Sequence, residues 1–280
     1  MRAAALFILC FGCPRVYAQD TLSVSLIFVG DIMQHESQIK AAYSPALDKY
    51  LYAPCFEFVK PILSAADLTI GNLELTLGGR PYSGYPQFSA PDELLTAIRD
   101  AGFDVLVTAN NHSVDRGRHG LERTIHLLDS IGIAHTGTFR DTLEWLNDYP
   151  LVIQRNGISL SLLNYTYGTN GISVRAPNLV NQIDTVRIGL DLMKAATQGT
   201  DASIVFFHWG NEYVSAPNDT QKQLASFCLR NGAKIVIGSH PHVIQPMEWN
   251  RQTDQVVVYS LGNFISGQRT RYRNGGAMFT

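Results

Sequence analysis

Five times along this chain an apolar run with strand character stops at a small-residue turn that carries carboxylate, amide or imidazole groups. The last and densest is Ile235-Val236-Ile237-Gly238-Ser239-His240-Pro241-His242-Val243, which delivers two imidazoles one residue apart. Before it come Leu22 to Val29 into Gly30-Asp31-Ile32-Met33-Gln34-His35, Leu68 to Ile70 into Gly71-Asn72-Leu73-Glu74, and Phe103 to Val107 into Asn110-Asn111-His112 with Asp115. The fourth is Ser203 to Phe207 into His208-Trp209-Gly210-Asn211-Glu212, and a further polar turn, Ser260-Leu261-Gly262-Asn263, follows Val256 to Tyr259. Read singly, Gly30-Asp31 is a turn or a helix cap, and His240-Pro241-His242 a solvated turn, as readily as either is a ligand. Read together they constrain the fold, because successive strands of an α/β sheet open their carboxyl ends into one crevice. Asp, Glu, His and a neutral Asn oxygen gathered there are the donors of a divalent-cation site.

The intervening segments supply the layers such a sheet needs. Helical spacing is clear in Leu121 to Ile131 and Ile183 to Ala196, and Pro91 to Ala101 and Gln221 to Leu229 also read as helices, with Gly102, Gly132 and Gly232 as stops. Phe56 to Ala66 has the same spacing around an interrupting Pro61. Asn156-Gly157 between two β-rich runs is a hairpin signal, so antiparallel pairing joins the strand-helix alternation and the sheets should be mixed. His119, His126 and His135 lack polar companions at a strand end and read as surface or packing histidines.

At 280 residues without a low-complexity linker, the chain suits one large α/β domain over residues 19–280. A net charge of −2 and the lack of basic runs exclude a nucleic-acid footprint. Arg2, the apolar run Ala3 to Gly12 and Val16-Tyr17-Ala18 read as a cleavable secretory signal over residues 1–18, with lipidation at Cys13 as the rival. The protein is therefore expected to be exported, to a periplasm, cell envelope or medium. Of the four cysteines, Cys55 and Cys228 remain after cleavage; they read as buried thiols, with a disulfide as the alternative. Gly275 to Thr280 ends in an apolar, strand-like run, the pattern of a chain that continues.

In order and type the motifs Gly30-Asp31, Gly71-Asn72-Leu73-Glu74, Asn110-Asn111-His112 with Asp115 and Gly117, His208-Trp209-Gly210, Gly238-Ser239-His240-Pro241-His242 and Leu261-Gly262-Asn263-Phe264 resemble the calcineurin-like metallophosphoesterase superfamily. More narrowly they resemble the bacterial capsule-synthesis CapA family, associated with poly-γ-glutamate capsule. The resemblance implies a four-layer α/β/β/α sandwich with mixed sheets. It implies two divalent cations without choosing among Mn, Zn, Fe and Mg. Asp31 and His242 would bind one, Asn111, His208 and His240 the other, with Glu74 bridging and His112 acting as the acid toward a leaving oxygen. His35, Asn72, Asp115, Glu212 and Asn263 are further candidates. The sequence departs from the superfamily at Met33, where a His is usual, and at Asn72, where the bridging Asp is usual. The implied function is capsule or exopolymer biosynthesis through a metal-dependent hydrolase-like site, acting on a phosphoester or on the polymer's amide linkage. The alternative is a non-catalytic assembly factor of a capsule export complex. The implied partners are the capsular polymer or its precursor and membrane-bound synthesis or export proteins.

Overall fold

The computed structural model describes residues 21–280, so the expected signal peptide lies outside the described residues. Two six-stranded sheets dominate. The first runs in the order Asn263–Ile265, Leu26–Ile32, Leu68–Leu73, Val105–Val107, Ala134–Thr136, all parallel, with Met278–Phe279 added antiparallel to Leu26–Ile32. The second runs Met247–Asn250, Gln255–Val258, Ala233–Ser239, Ala202–His208, Ile158–Thr166, Leu151–Arg155; its central neighbours are parallel and its two edge pairs antiparallel. The outermost of these pairs is the hairpin over Asn156-Gly157, both of which take positive φ, at 51° and 79°. That is the backbone a two-residue turn between twisted strands requires.

Side-chain alternation along the strands separates three apolar layers. Phe28, Ile70 and Val107 from the first sheet meet Leu162, Phe206 and Ile237 from the second in a core between the sheets. Val29 and Leu106, on the opposite face, pack under helices Asp92–Asp100 and Gly117–Ile131 through Leu94, Ile98 and Leu128. Val205, Phe207 and Val236 pack under Thr185–Thr197 and Asp219–Arg230 through Ile188, Leu192, Leu224 and Cys228. The result is a helix-sheet-sheet-helix sandwich. Each such Leu, Ile or Phe contributes roughly 1.5–3 kcal/mol on burial, so the three cores fix the sheets' relative placement and hence the site at their common end. Among the described residues no helix is long and apolar enough to cross a membrane.

Three local expectations are corrected. The first strand is Leu26–Ile32 rather than Leu22 to Val29, so Asp31 lies within the ladder and not in a turn beyond it. Gly30 is required for close approach: a Cβ there would stand 1.9 Å from the Gly262 carbonyl oxygen. The segment Phe56 to Ala66 is not one helix but two short turns, Ala53–Phe56 and Lys60–Leu63, each with a proline in its first positions. Cys228 is buried as a free thiol, whereas Cys55 is free and exposed.

Candidate metal centre

Register brings the polar groups into two facing rows. In the first sheet Asn263, Asp31 and Asn72 are lateral partners; in the second, Thr166, His208 and Ser239 are. Because the sandwich stacks the two sheets, the rows confront each other at one end. Asn72 links them, its Nδ2 donating to Asp31 Oδ1 at 2.8 Å and to Ser239 Oγ at 3.2 Å, with His208 Nδ1 also 3.2 Å away. The loop after Ala233–Ser239 closes the row. His240 and His242 sit at φ 96° and 57°, a left-handed backbone that costs a β-carbon residue on the order of 1 kcal/mol or more. That conformation wraps the loop onto Asp31: the His240 backbone N–H donates to Asp31 Oδ2 at 3.4 Å, and His242 Nδ1 lies 3.0 Å from both Asp31 Oδ2 and Asn263 Oδ1.

Glu74 is the centre of the arrangement. Its two carboxylate oxygens are buried without a hydrogen-bond partner, although His208 Nε2 and His242 Nε2 approach Oε1 at 3.5 and 3.8 Å. It belongs to both groups of close ligand atoms, Asp31-Glu74-His208 and Glu74-His240-His242. The two groups share Glu74 and place Asp31 with His208 and His240 with His242. Burial, then the neighbouring Asp31 carboxylate, pushes the Glu74 carboxyl well above its ordinary range. Burial alone would also raise Asp31, but the hydrogen bond and charge of His242 outweigh it and hold Asp31 low. His242 is correspondingly raised: burial opposes its charge, and the Asp31 contact overcomes that. Burial drives His208 well below the usual imidazole range, and burial with the His242 charge takes His240 to about 3. Both rings are thus neutral at physiological pH, the form that binds a metal.

The residues fit a divalent cation. An unpartnered, fully buried carboxylate among three imidazoles, with a buried His240 Nδ1 that is also unpartnered, is costly unless a positive charge completes it. Asn111 adds its oxygen, 2.8 Å from His208 Nε2, and its Nδ2 is held by Asn170 Oδ1 at 3.2 Å. Beside this cluster, His112 Nδ1 is hydrogen-bonded at 2.7 Å to Asp115 Oδ2, which also accepts from the Phe88 N–H at 2.7 Å. Phe88 packs its ring against both His112 and His35, with centroids 4.6 and 5.4 Å away.

The further candidates take distinct places. His35 accepts the Gly267 N–H at its Nδ1, 3.1 Å away, and forms part of the wall without joining either ligand group. Met33, in the superfamily's His position, packs into the apolar core behind the first sheet. Glu212 is exposed and enters neither ligand group. Asn110, quoted in its motif without a role, donates its Nδ2 to Asn72 Oδ1 at 3.2 Å, and its Oδ1 accepts the His112 N–H at 3.0 Å. Ser239, likewise quoted without a role, lies 3.0 Å from His208 Nδ1; Tyr167, which the sequence did not single out, packs its ring 4.6 Å from that of His240 and stacks on His208 at 6.2 Å. Tyr167 directly follows the strand Ile158–Thr166, at the end away from the hairpin.

Sandwich and site together define an α/β protein with a candidate metal centre at the common end of its two sheets. In fold it is similar to the NAD nucleotidase NadN of Haemophilus influenzae, with a TM-score of 0.53 and 11% identity over 84% of this chain and 50% of that one. The likeness concerns the fold alone. The chain belongs to the bacterial capsule synthesis protein PGA_cap family, whose model matches residues 25–268. It is 31% identical over 275 residues to the PGA biosynthesis protein CapA of Bacillus subtilis strain 168, covering 92% of this chain and 67% of that protein. It is 29% identical over 264 residues to the capsule biosynthesis protein CapA of Bacillus anthracis, covering 89% of this chain and 61% of that protein. The chain thus spans about two thirds of the length of these relatives.

Proposed function

We propose that this protein is an exported component of capsule or exopolymer biosynthesis whose metal centre hydrolyses a phosphoester or amide linkage of an anionic polymer or its precursor. The observation that carries the reading is Glu74, buried, unpartnered and common to both ligand groups. Asp31, Glu74, Asn111, His208, His240 and His242 would hold two divalent cations, Glu74 being the residue common to both ligand groups. Bound there, the cations would supply an acidified water and electrophilic stabilisation of the bond under attack. The chain's own acid is His112: Asp115 accepts from its Nδ1 and orients the ring, so that the doubly protonated imidazole would give its Nε2 proton to a leaving oxygen and return to the neutral Nδ1–H form. Phe88 holds the ring from its side. Asn72 and Asn110 keep Asp31, the His208 strand and the His112 backbone in register.

The capsular polymer and membrane-bound synthesis or export proteins are the proposed partners, and family membership supports the first. Met33 in the apolar core favours a second reading, an assembly factor that keeps the fold and a metal without turnover. The discriminating experiment assays the metal-loaded protein and His112→Asn on a chromogenic phosphodiester and on γ-linked oligoglutamate. A hydrolase turns over one of them, and the variant keeps its metal while losing turnover. Metal uptake with no turnover of either by the wild type leaves the assembly factor.

A further inference from the structure

The rim of the metal centre carries a charge that the hydrolase reading leaves unused. Asn263 holds His242 through Oδ1 and donates its Nδ2 to the Arg273 carbonyl at 2.7 Å. That bond ties the backbone of residue 273 to a candidate ligand. The Arg273 guanidinium lies over the Tyr213 ring, 3.6 Å from its centre, and the Tyr213 ring is 5.9 Å from that of His242. One aromatic ring therefore separates the guanidinium from the metal centre.

A guanidinium laid on an aromatic face is held in place while the N–H groups in its own plane stay available for a bidentate oxyanion. Arg273 is half-buried, yet no ion pair among the described residues uses it, nor its neighbours Arg269 and Arg271. The Arg273 N–H donates to the Thr270 carbonyl at 3.0 Å, closing the turn that carries Arg273.

We infer that Arg273 is a specificity-determining residue that binds an oxyanion of the substrate, carboxylate or phosphate, beside the metal centre. The inference rests on the proposed hydrolase reading for the group that lies at the metals.

The test is calorimetric titration of the metal-loaded full chain with inorganic phosphate, with γ-linked oligoglutamate and with a neutral oligosaccharide, for wild type, Arg273→Ala and Arg273→Lys. Arg273→Ala is expected to weaken one or both anions about 10-fold or more, the scale of a charge-assisted pair. Arg273→Lys should recover only part of the loss, because the charge returns without the fork. A loss confined to phosphate identifies a phosphate subsite; one confined to oligoglutamate identifies a carboxylate subsite. Equal anion binding by wild type and Arg273→Ala overturns the inference, as does an equal loss for the neutral sugar. Metal content on the same samples separates the two proposals. Arg273-dependent anion binding by a chain that takes up no metal would sink the hydrolase reading alone, and metal uptake with Arg273-independent binding would sink this inference alone.

Discussion

Replacing Glu74 by Gln should reverse the order of stability with and without metal. In the metal-free protein Glu74 is fully buried, its oxygens have no hydrogen-bond partner, and burial together with the neighbouring Asp31 carboxylate disfavours its ionised form. Gln keeps the shape, removes the repulsion and brings an N–H that can donate to Asp31. Relieving one buried unsatisfied group is worth about 1–3 kcal/mol, or roughly 2–10 °C of melting temperature in a domain of this size. With a divalent ion at 1,000 times its dissociation constant the wild type gains about 4 kcal/mol by mass action. The variant, without its bridging carboxylate, gains far less. Thermal unfolding of both proteins in chelator and in excess Mn²⁺ reads the two effects. The reasoning is refuted if Glu74→Gln melts below the wild type in chelator, or if metal raises both equally.

Three further outcomes follow from the geometry. Asp115→Asn should cut turnover roughly 10- to 100-fold, the usual cost of losing an orienting partner, at unchanged metal content; an unchanged rate would remove Asp115 from the account. Gly238→Ala should destabilise by about 3 kcal/mol or more, because its Cβ would stand 2.0 Å from the Tyr259 carbonyl and 2.4 Å from Trp209 Nε1; a near-neutral denaturant midpoint would contradict the packing. In a chain lacking residues 1–18, a thiol reagent should label exposed Cys55 rapidly and buried Cys228, its thiol pushed up to about 12 by burial, only on unfolding. Two fast thiols or none would be inconsistent with this placement.

The candidate ligands were legible in the sequence because each follows a strand-like run, and in an α/β sheet that grammar alone fixes which edge they share. Asp31, Glu74, Asn111, His208, His240 and His242 all converge as that rule requires. Register was not legible. Nothing local to Asn72 says that Asp31 and Asn263 flank it and its neighbour across one row, or that its amide reaches Ser239 in the other sheet, 167 positions away. Orientation was equally hidden at Met33 and His35, which alternation alone leaves open until the core claims the first and Gly267 engages the second. Gly30 misled for a related reason: a glycine needed for another strand's close approach looks, in sequence, like one needed for a turn.

The central claim is a two-cation site joined by Glu74, and bound metal per chain tests it most directly. Residues 19–280, purified without chelator, would be analysed for divalent metals beside Glu74→Ala, His208→Ala and His240→Ala. The account expects about two ions per wild-type chain, as a two-metal hydrolytic site requires, and a fall in every variant, deepest for Glu74→Ala. A folded wild type that carries no metal and takes up neither added Mn²⁺ nor Zn²⁺ would contradict it.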